Sequence, residues 1–156
     1  MRNTRAVEAW TIGPLEHFVG QAGARLVLIM TPAGQVMAQY GFARAVDVMT
    51  AAALGAGIVA SSSEIASMLG QPPFAALGHR GTHHGIVLSS FDSPRGRLLV
   101  LVVYGVETSL GLVQLFLGTL VDDLAAACPV PESRGPVLAV NFENELNRSL
   151  DALFGQ

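Results

Sequence analysis

LGAGIVASSSEIASMLG, residues 54–70, admits three readings that cannot all hold: a dinucleotide-binding turn, a membrane span, or a helix shaped to meet another protein. Gly55-Ala56-Gly57-Ile58-Val59-Ala60 matches G-x-G-x-x-A. That fingerprint needs its glycines directly after a strand, with an acidic residue about 20 positions further on for the ribose. Here the residues from Asp47 to Leu54 are already helical in pattern, and no Asp or Glu lies between Gly70 and Phe91. The uncharged run from Val48 meets Glu64 after 16 residues and contains Thr50, two glycines and Ser61-Ser62-Ser63. It falls short of the roughly 20 predominantly apolar residues a span requires. The helix reading remains, with Asp47 as N-cap and an end at residue 69, where Gly70 and Pro72-Pro73 stop it.

Residues on a helix are 100° apart, which divides this one into two expected faces. Leu54, Ile58, Ile65 and Leu69 fall within about 60° of one another and form a bulky stripe expected on the sheet. Nearly opposite lie Ala53, Ala56, Gly57, Ala60, Ser63, Glu64 and Ser67, small and almost uncharged. Small side chains let another backbone approach closely. This face is therefore expected to meet a partner; the bland alternative is a helix buried on both sides within its own domain.

Composition points the same way. The chain has 156 residues, with 13% charged and 51% hydrophobic, against about 25% and 45–50% for an average globular chain. Too few charges remain to cover a monomer, so part of the surface is expected to be covered by a partner. All nine basic residues are Arg. Without Lys there is no P-loop, no kinase strand Lys and no Schiff-base nucleophile. The formal charge of −3 lacks the basic stripe of a nucleic-acid binder. Arg2 and Arg5 are followed by Glu8 and Glu16 rather than by an apolar run, so no leader peptide is expected. The single Cys128 reads as a free thiol, and the cytoplasm is the default location.

Outward from the central helix, a short helix is expected from Thr11 to about Gln21, ending at Gly23. RLVLIM (25–30) and QVMAQY (35–40) form a hairpin around Thr31-Pro32-Ala33-Gly34. FAALGHRGT, HGIVLSSF and RLLVLVVY supply three more strands, the last two joined by Asp92-Ser93-Pro94-Arg95-Gly96. A second long helix begins near Thr108 or Ser109 and is apolar on most of its surface, hence expected to be buried on more than one side. CPVPESRGP is a Pro-punctuated linker. NFENELNRSLDALFG then forms an amphipathic tail helix capped by Asn141, with a stripe of Phe142, Leu146, Leu150 and Leu153. That stripe fits a helix-in-groove contact or a fold-back onto its own domain.

Other chemistry-bearing residues carry little. His79, His83 and His84 form H-x3-H-H, but the neighbouring glycines favour strand and turn, placing His79 and His83 on one face and His84 on the other. No acidic residue or Cys lies close in sequence to complete a zinc set. Arg80, Arg95 and Arg97 sit at strand ends or turns and could face phosphate, even as a trans-acting arginine finger; the bland reading is solvated loop arginines. No G-x-S-x-G elbow or ordered Ser/His/Asp pattern is present.

The order helix, hairpin, long helix, three strands, helix resembles the roadblock/dynein light chain family over about residues 11–127. ARLVLIMTPAGQVMAQYG resembles its first hairpin, DVMTAAALGAGIVASSSEIASMLGQPPF its central helix, and ETSLGLVQL its turn into the last helix. Within the family, TSLGLVQL and LDALFG are most similar to the bacterial gliding and polarity branch, the MglB-like proteins. The resemblance implies an α+β fold: a five-stranded antiparallel sheet between a long central helix on one face and terminal helices on the other. Gly13-Pro14 departs from the family by shortening the first helix. The expected division is a roadblock-like domain over 1–127, a linker over 128–140 and a tail helix over 141–156. The resemblance further implies a non-enzymatic homodimer that binds a small Ras-like GTPase and modulates its GTP hydrolysis or nucleotide state, without a catalytic arginine of its own. Ala53, Ala56, Gly57, Ala60, Glu64 and Ser67 would lie on the platform, and the tail would add a contact. No cofactor, metal, nucleic acid or membrane insertion is expected. The rival readings are a purely structural dimeric scaffold and a small-ligand or metal-binding domain using His79 and His83.

Overall fold

Runs of branched residues alternating between two apolar sets need cover on both sides, and in this chain they receive it from helices. The computed structural model describes residues 4–130 and 135–154, the stretch 135–143 by its backbone alone. Six strands pair antiparallel in the order β1-β3-β2-β6-β5-β4. They are β1 (Thr4–Ala6), β2 (Leu26–Met30), β3 (Val36–Tyr40), β4 (Ala76–Arg80), β5 (His84–Ser93) and β6 (Gly96–Gly105). The helices are α1 (Ile12–Ala22), α2 (Ala45–Met68), α3 (Leu110–Ala127) and α4 (Gly135–Phe154). The mixed class and antiparallel sheet are as expected, but the strands among the described residues number six rather than five. The extra one, β1, is only three residues long and pairs along β3. Nothing in Thr4-Arg5-Ala6 marks a strand; the free edge of β3 makes it one.

Alternation along β2 divides the core. Val27 and Ile29 join Leu15 and Phe18 of α1 and Val113, Leu117, Leu120 and Leu124 of α3 in one buried cluster. Leu28 and Met30 join Leu88, Leu99 and Leu101 of the sheet and Val48 and Ala52 of α2 in the other. The two clusters occupy opposite faces of one sheet.

Several boundaries rest on local chemistry. Gly23 ends α1 in the left-handed region at φ +66, its N–H bonded to the Val19 carbonyl. Ser109 caps α3, its Oγ accepting from the Leu112 N–H. In the β5–β6 turn, Ser93 Oγ donates to the Gly96 carbonyl and accepts from the Arg95 N–H, which pins Ser93 opposite Gly96.

Other expectations need correction. α2 starts at Ala45, with Arg44 as an extended N-cap lacking a side-chain cap bond; Asp47 lies within the first turn, where its charge suits the helix N-terminus. α3 is buried along one stripe, Val113-Leu117-Leu120-Leu124, and leaves Leu112 and Leu115 exposed. α4 starts at Gly135 rather than after Asn141. Pro136 in its first turn lacks an N–H that would have no helical acceptor there, so the proline belongs to the helix rather than to a linker. Residues 131–134 of the expected linker lie outside the described residues.

Candidate partner interface

α2 lies on the sheet in an orientation turned away from what side-chain size suggests. Its buried residues are Val48, Ala52, Gly55 and Ala66. Leu54, Ile65 and Leu69, expected on the sheet, are exposed; Ile58 is partly buried and packs on the sheet cluster. At 100° per residue, the helix is rotated by roughly a quarter turn from the expected setting. The cause lies in the sheet. Met30, Leu88, Leu99 and Leu101 already fill the α2 side, so the helix must present small residues to approach. A Cβ added at Gly55 would stand 2.8 Å from Met30 Cε and 3.5 Å from Leu88 Cδ2.

The solvent face therefore carries the bulk. Leu54 is 63% exposed, Ile65 54%, Met49 71% and Met68 85%. Between them lie Ala53, Gly57, Ala60, Glu64 and Ser67, all exposed as expected, whereas Ala56 is half-buried and packs on the sheet cluster. Thr50 Oγ1 and Ser61 Oγ donate to the carbonyls of Val46 and Gly57 one turn back. With those donors turned inward, the face is drier than its composition implies. Only 17% of the most apolar 18-residue stretch of α2 is buried. α2 and α3 are each long and apolar enough to cross a membrane by length and composition alone, a test that sheet-covering helices also pass. Each here keeps a stripe against the sheet.

Beside this face runs an apolar groove of about 550 Å3 lined by Leu54, Gly57, Ile58 and Ile65 of α2 and by Leu77 and His79 of β4. β4 is the outer strand, exposed along nearly its whole length. Groove, helix face and open strand edge form one continuous surface. The bulky members Met49, Leu54, Ile65 and Met68 and the β4 side escaped the sequence reading. The unbroken apolar character of the helix hides which side is outward.

The other singled-out residues do not join it as a set. His79 lines this groove, while His83 and His84 line a separate cleft. Among the described residues no three His, Cys, Asp or Glu side chains could hold a metal ion together. Arg95 Nη1 donates to Glu8 Oε2 at 3.2 Å, tying the segment after β1 to the β5–β6 turn. Arg25 donates through Nε and Nη2 to both carboxylate oxygens of Glu107, at 2.9 and 3.0 Å. That hydrogen bond and the carboxylate charge hold its pKa above the ordinary guanidinium value. Its Nη1 stands 2.8 Å from His84 Nε2. Arginine has only protons to give, so Nε2 is the acceptor in that contact. In the tail, Leu146, Leu150 and Leu153 are exposed; the Phe142 side chain lies outside the described residues.

No family model matches this sequence, and no curated protein matches it. Among solved structures, the chain is similar to MglB of Myxococcus xanthus at 25% identity, covering 74% of this chain and 92% of that one, with TM-score 0.67. It is similar to the gliding protein MglB of Thermus thermophilus at 24% identity, covering 76% and 88%, with TM-score 0.68. A Roadblock/LC7 domain from Streptomyces avermitilis shares the fold at 13% identity, covering 77% and 95%, with TM-score 0.62.

Proposed function

Because the chain folds as a roadblock/LC7-family, MglB-like protein, we propose that it is a non-catalytic regulator that works as a homodimer and binds a small Ras-like GTPase. The observation that carries this reading is the continuous apolar surface of α2 and β4. A 24-residue helix with Met49, Leu54, Ile65 and Met68 turned outward calls for cover, and an unpaired strand edge beside it offers main-chain pairing. A second copy would cover part of this surface, and the paired helices would leave Ala53, Gly57, Ala60, Glu64 and Ser67 near the GTPase. The protein would act in the cytoplasm with its GTPase, changing hydrolysis or nucleotide state by repositioning the GTPase's own groups. Arg95, already held by Glu8, is not offered to a partner's phosphate.

The test combines this protein with a small Ras-like GTPase from the same cell, following complex formation by gel filtration and phosphate release under multiple turnover. A complex with a changed hydrolysis rate supports regulation. A complex with an unchanged rate and unchanged nucleotide exchange leaves the scaffold reading instead. No complex and no rate change would overturn both.

A further inference from the structure

A second cleft, of about 450 Å3, opens between the β4–β5 turn and the first turn of α3. It belongs to the sheet face away from α2. A Cβ on Gly78 of β4 would meet Leu110 Cδ1 of α3 at 3.8 Å. Tyr104, which lines the cleft, is part of the core beneath α1 and α3. The cleft therefore lies on the other sheet face from the α2 groove, although Arg80 belongs to β4, whose edge the second copy would pair with.

Tyr104 is 6% exposed, and its Oη is buried with no hydrogen-bond partner among the described residues. A buried hydroxyl left unpaired is a cost to the free protein. The cost is built in by a neighbour: Gly85 stands directly opposite Tyr104 in the β5–β6 register, and any Cβ there would collide with the phenol end of the ring. Glycine at 85 is what leaves room for the phenol end of Tyr104, a residue that lines the cleft.

Opposite it is the start of an 18-residue helix. Ser109 Oγ takes the Leu112 N–H, whereas the N–H groups of Leu110 and Gly111 have no acceptor within the helix by its geometry. The aligned peptide dipoles make that end electropositive. Arg80 adds a full positive charge, and Thr82 and Thr108 add hydroxyls. No Asp or Glu is among the lining residues; Glu107, the nearest in sequence, is turned to Arg25. A phenol, helix-end amides and a guanidinium around one cleft, with the Glu107 carboxylate beside Gly105 already paired to Arg25, suit an oxyanion.

We propose that this cleft binds the phosphate or carboxylate group of a small molecule, with Tyr104 Oη and the first-turn amides of α3 donating hydrogen bonds and Arg80 supplying charge. The cleft volume is that of a small-metabolite site rather than of a lone ion. The inference is independent of any GTPase, and its test uses this protein alone.

The full chain is titrated with inorganic phosphate and, separately, with acetate, each against chloride at equal ionic strength and fixed pH. Amide resonances of Leu110 and Gly111 and the melting temperature are followed. Saturable shifts at both amides with one of the anions are expected, and which anion does so tells phosphate from carboxylate. Tyr104→Phe should weaken that binding about tenfold, as loss of one hydrogen bond to a charged group does, while leaving the ligand-free melting temperature equal or higher. Arg80→Ala should weaken it at least about tenfold with little change in the ligand-free melting temperature. Saturation by neither anion, or binding that both variants leave unchanged, an adventitious ion only, would overturn the proposal. So would a Tyr104→Phe protein that melts markedly lower without ligand, because the hydroxyl would then serve the fold.

Discussion

The two faces of the sheet are built by opposite rules. Beneath α1 and α3, large residues meet large residues: Leu15 and Phe18 on one helix, Val113, Leu117, Leu120 and Leu124 on the other, all at most 4% exposed. Beneath α2 the sheet supplies the bulk and the helix brings Ala52, Gly55 and Ala66, leaving Val46, Met49, Leu54, Ile65 and Met68 outside. One face is completed by the chain itself. The other leaves large side chains that this chain does not cover, the surface on which the proposed second copy would pack.

Substitutions can break or sharpen this contrast. Phe18→Ala removes a fully buried ring from the completed face and should cost about 3–5 kcal/mol of folding free energy, read by urea denaturation. Gly55→Val forces volume against Met30 and Leu88 and should cost about 1–3 kcal/mol, enough to lower the midpoint without abolishing the fold. Leu54→Arg, on the unfinished face, should shift folding of the isolated chain by no more than about 0.5 kcal/mol. Its effect should appear in sedimentation equilibrium, as loss of the dimer. If Leu54→Arg unfolded the protein as Phe18→Ala does, the two faces would not differ in the way described. Gly57→Ala is the gentlest probe. A Cβ there meets nothing within 4 Å of this chain, so helix propensity alone should stabilise the isolated chain by about 0.5–1 kcal/mol. Weaker dimerisation or weaker GTPase binding by that more stable variant would locate a close backbone approach at Gly57.

Much of the fold was readable because its signals are local. Ser109 caps its helix through a bond three residues away, Gly23 ends another through its own backbone angle, and Asp92-Ser93-Pro94-Arg95-Gly96 closes a hairpin with its own atoms. The rotation of α2 was not readable. Leu54 and Ala52 are both apolar, and which of them meets the sheet is decided by Met30 and Leu101, far away in sequence. β1 was hidden for the same reason, since Thr4-Arg5-Ala6 is a strand only because β3 lies beside it. The exposure of Ala53, Gly57, Ala60, Glu64 and Ser67 was legible, whereas Ala56 is half-buried because of the rotation. The cleft at Tyr104 left no sequence signal, because its phenol, hairpin turn and helix end converge only through strand register.

The three residues of β1 also set a limit on assembly. They form one border of the sheet and β4 the other, so the border away from β4 offers only a three-residue strand to pair with. Two copies joined through β4 about a two-fold axis would form one continuous sheet bounded at both sides by β1, whose three residues give a third strand little to pair with. An isologous contact of that kind is self-terminating, whereas a sheet with two open borders could grow without end. A short N-terminal strand thereby favours a counted assembly over a fibre.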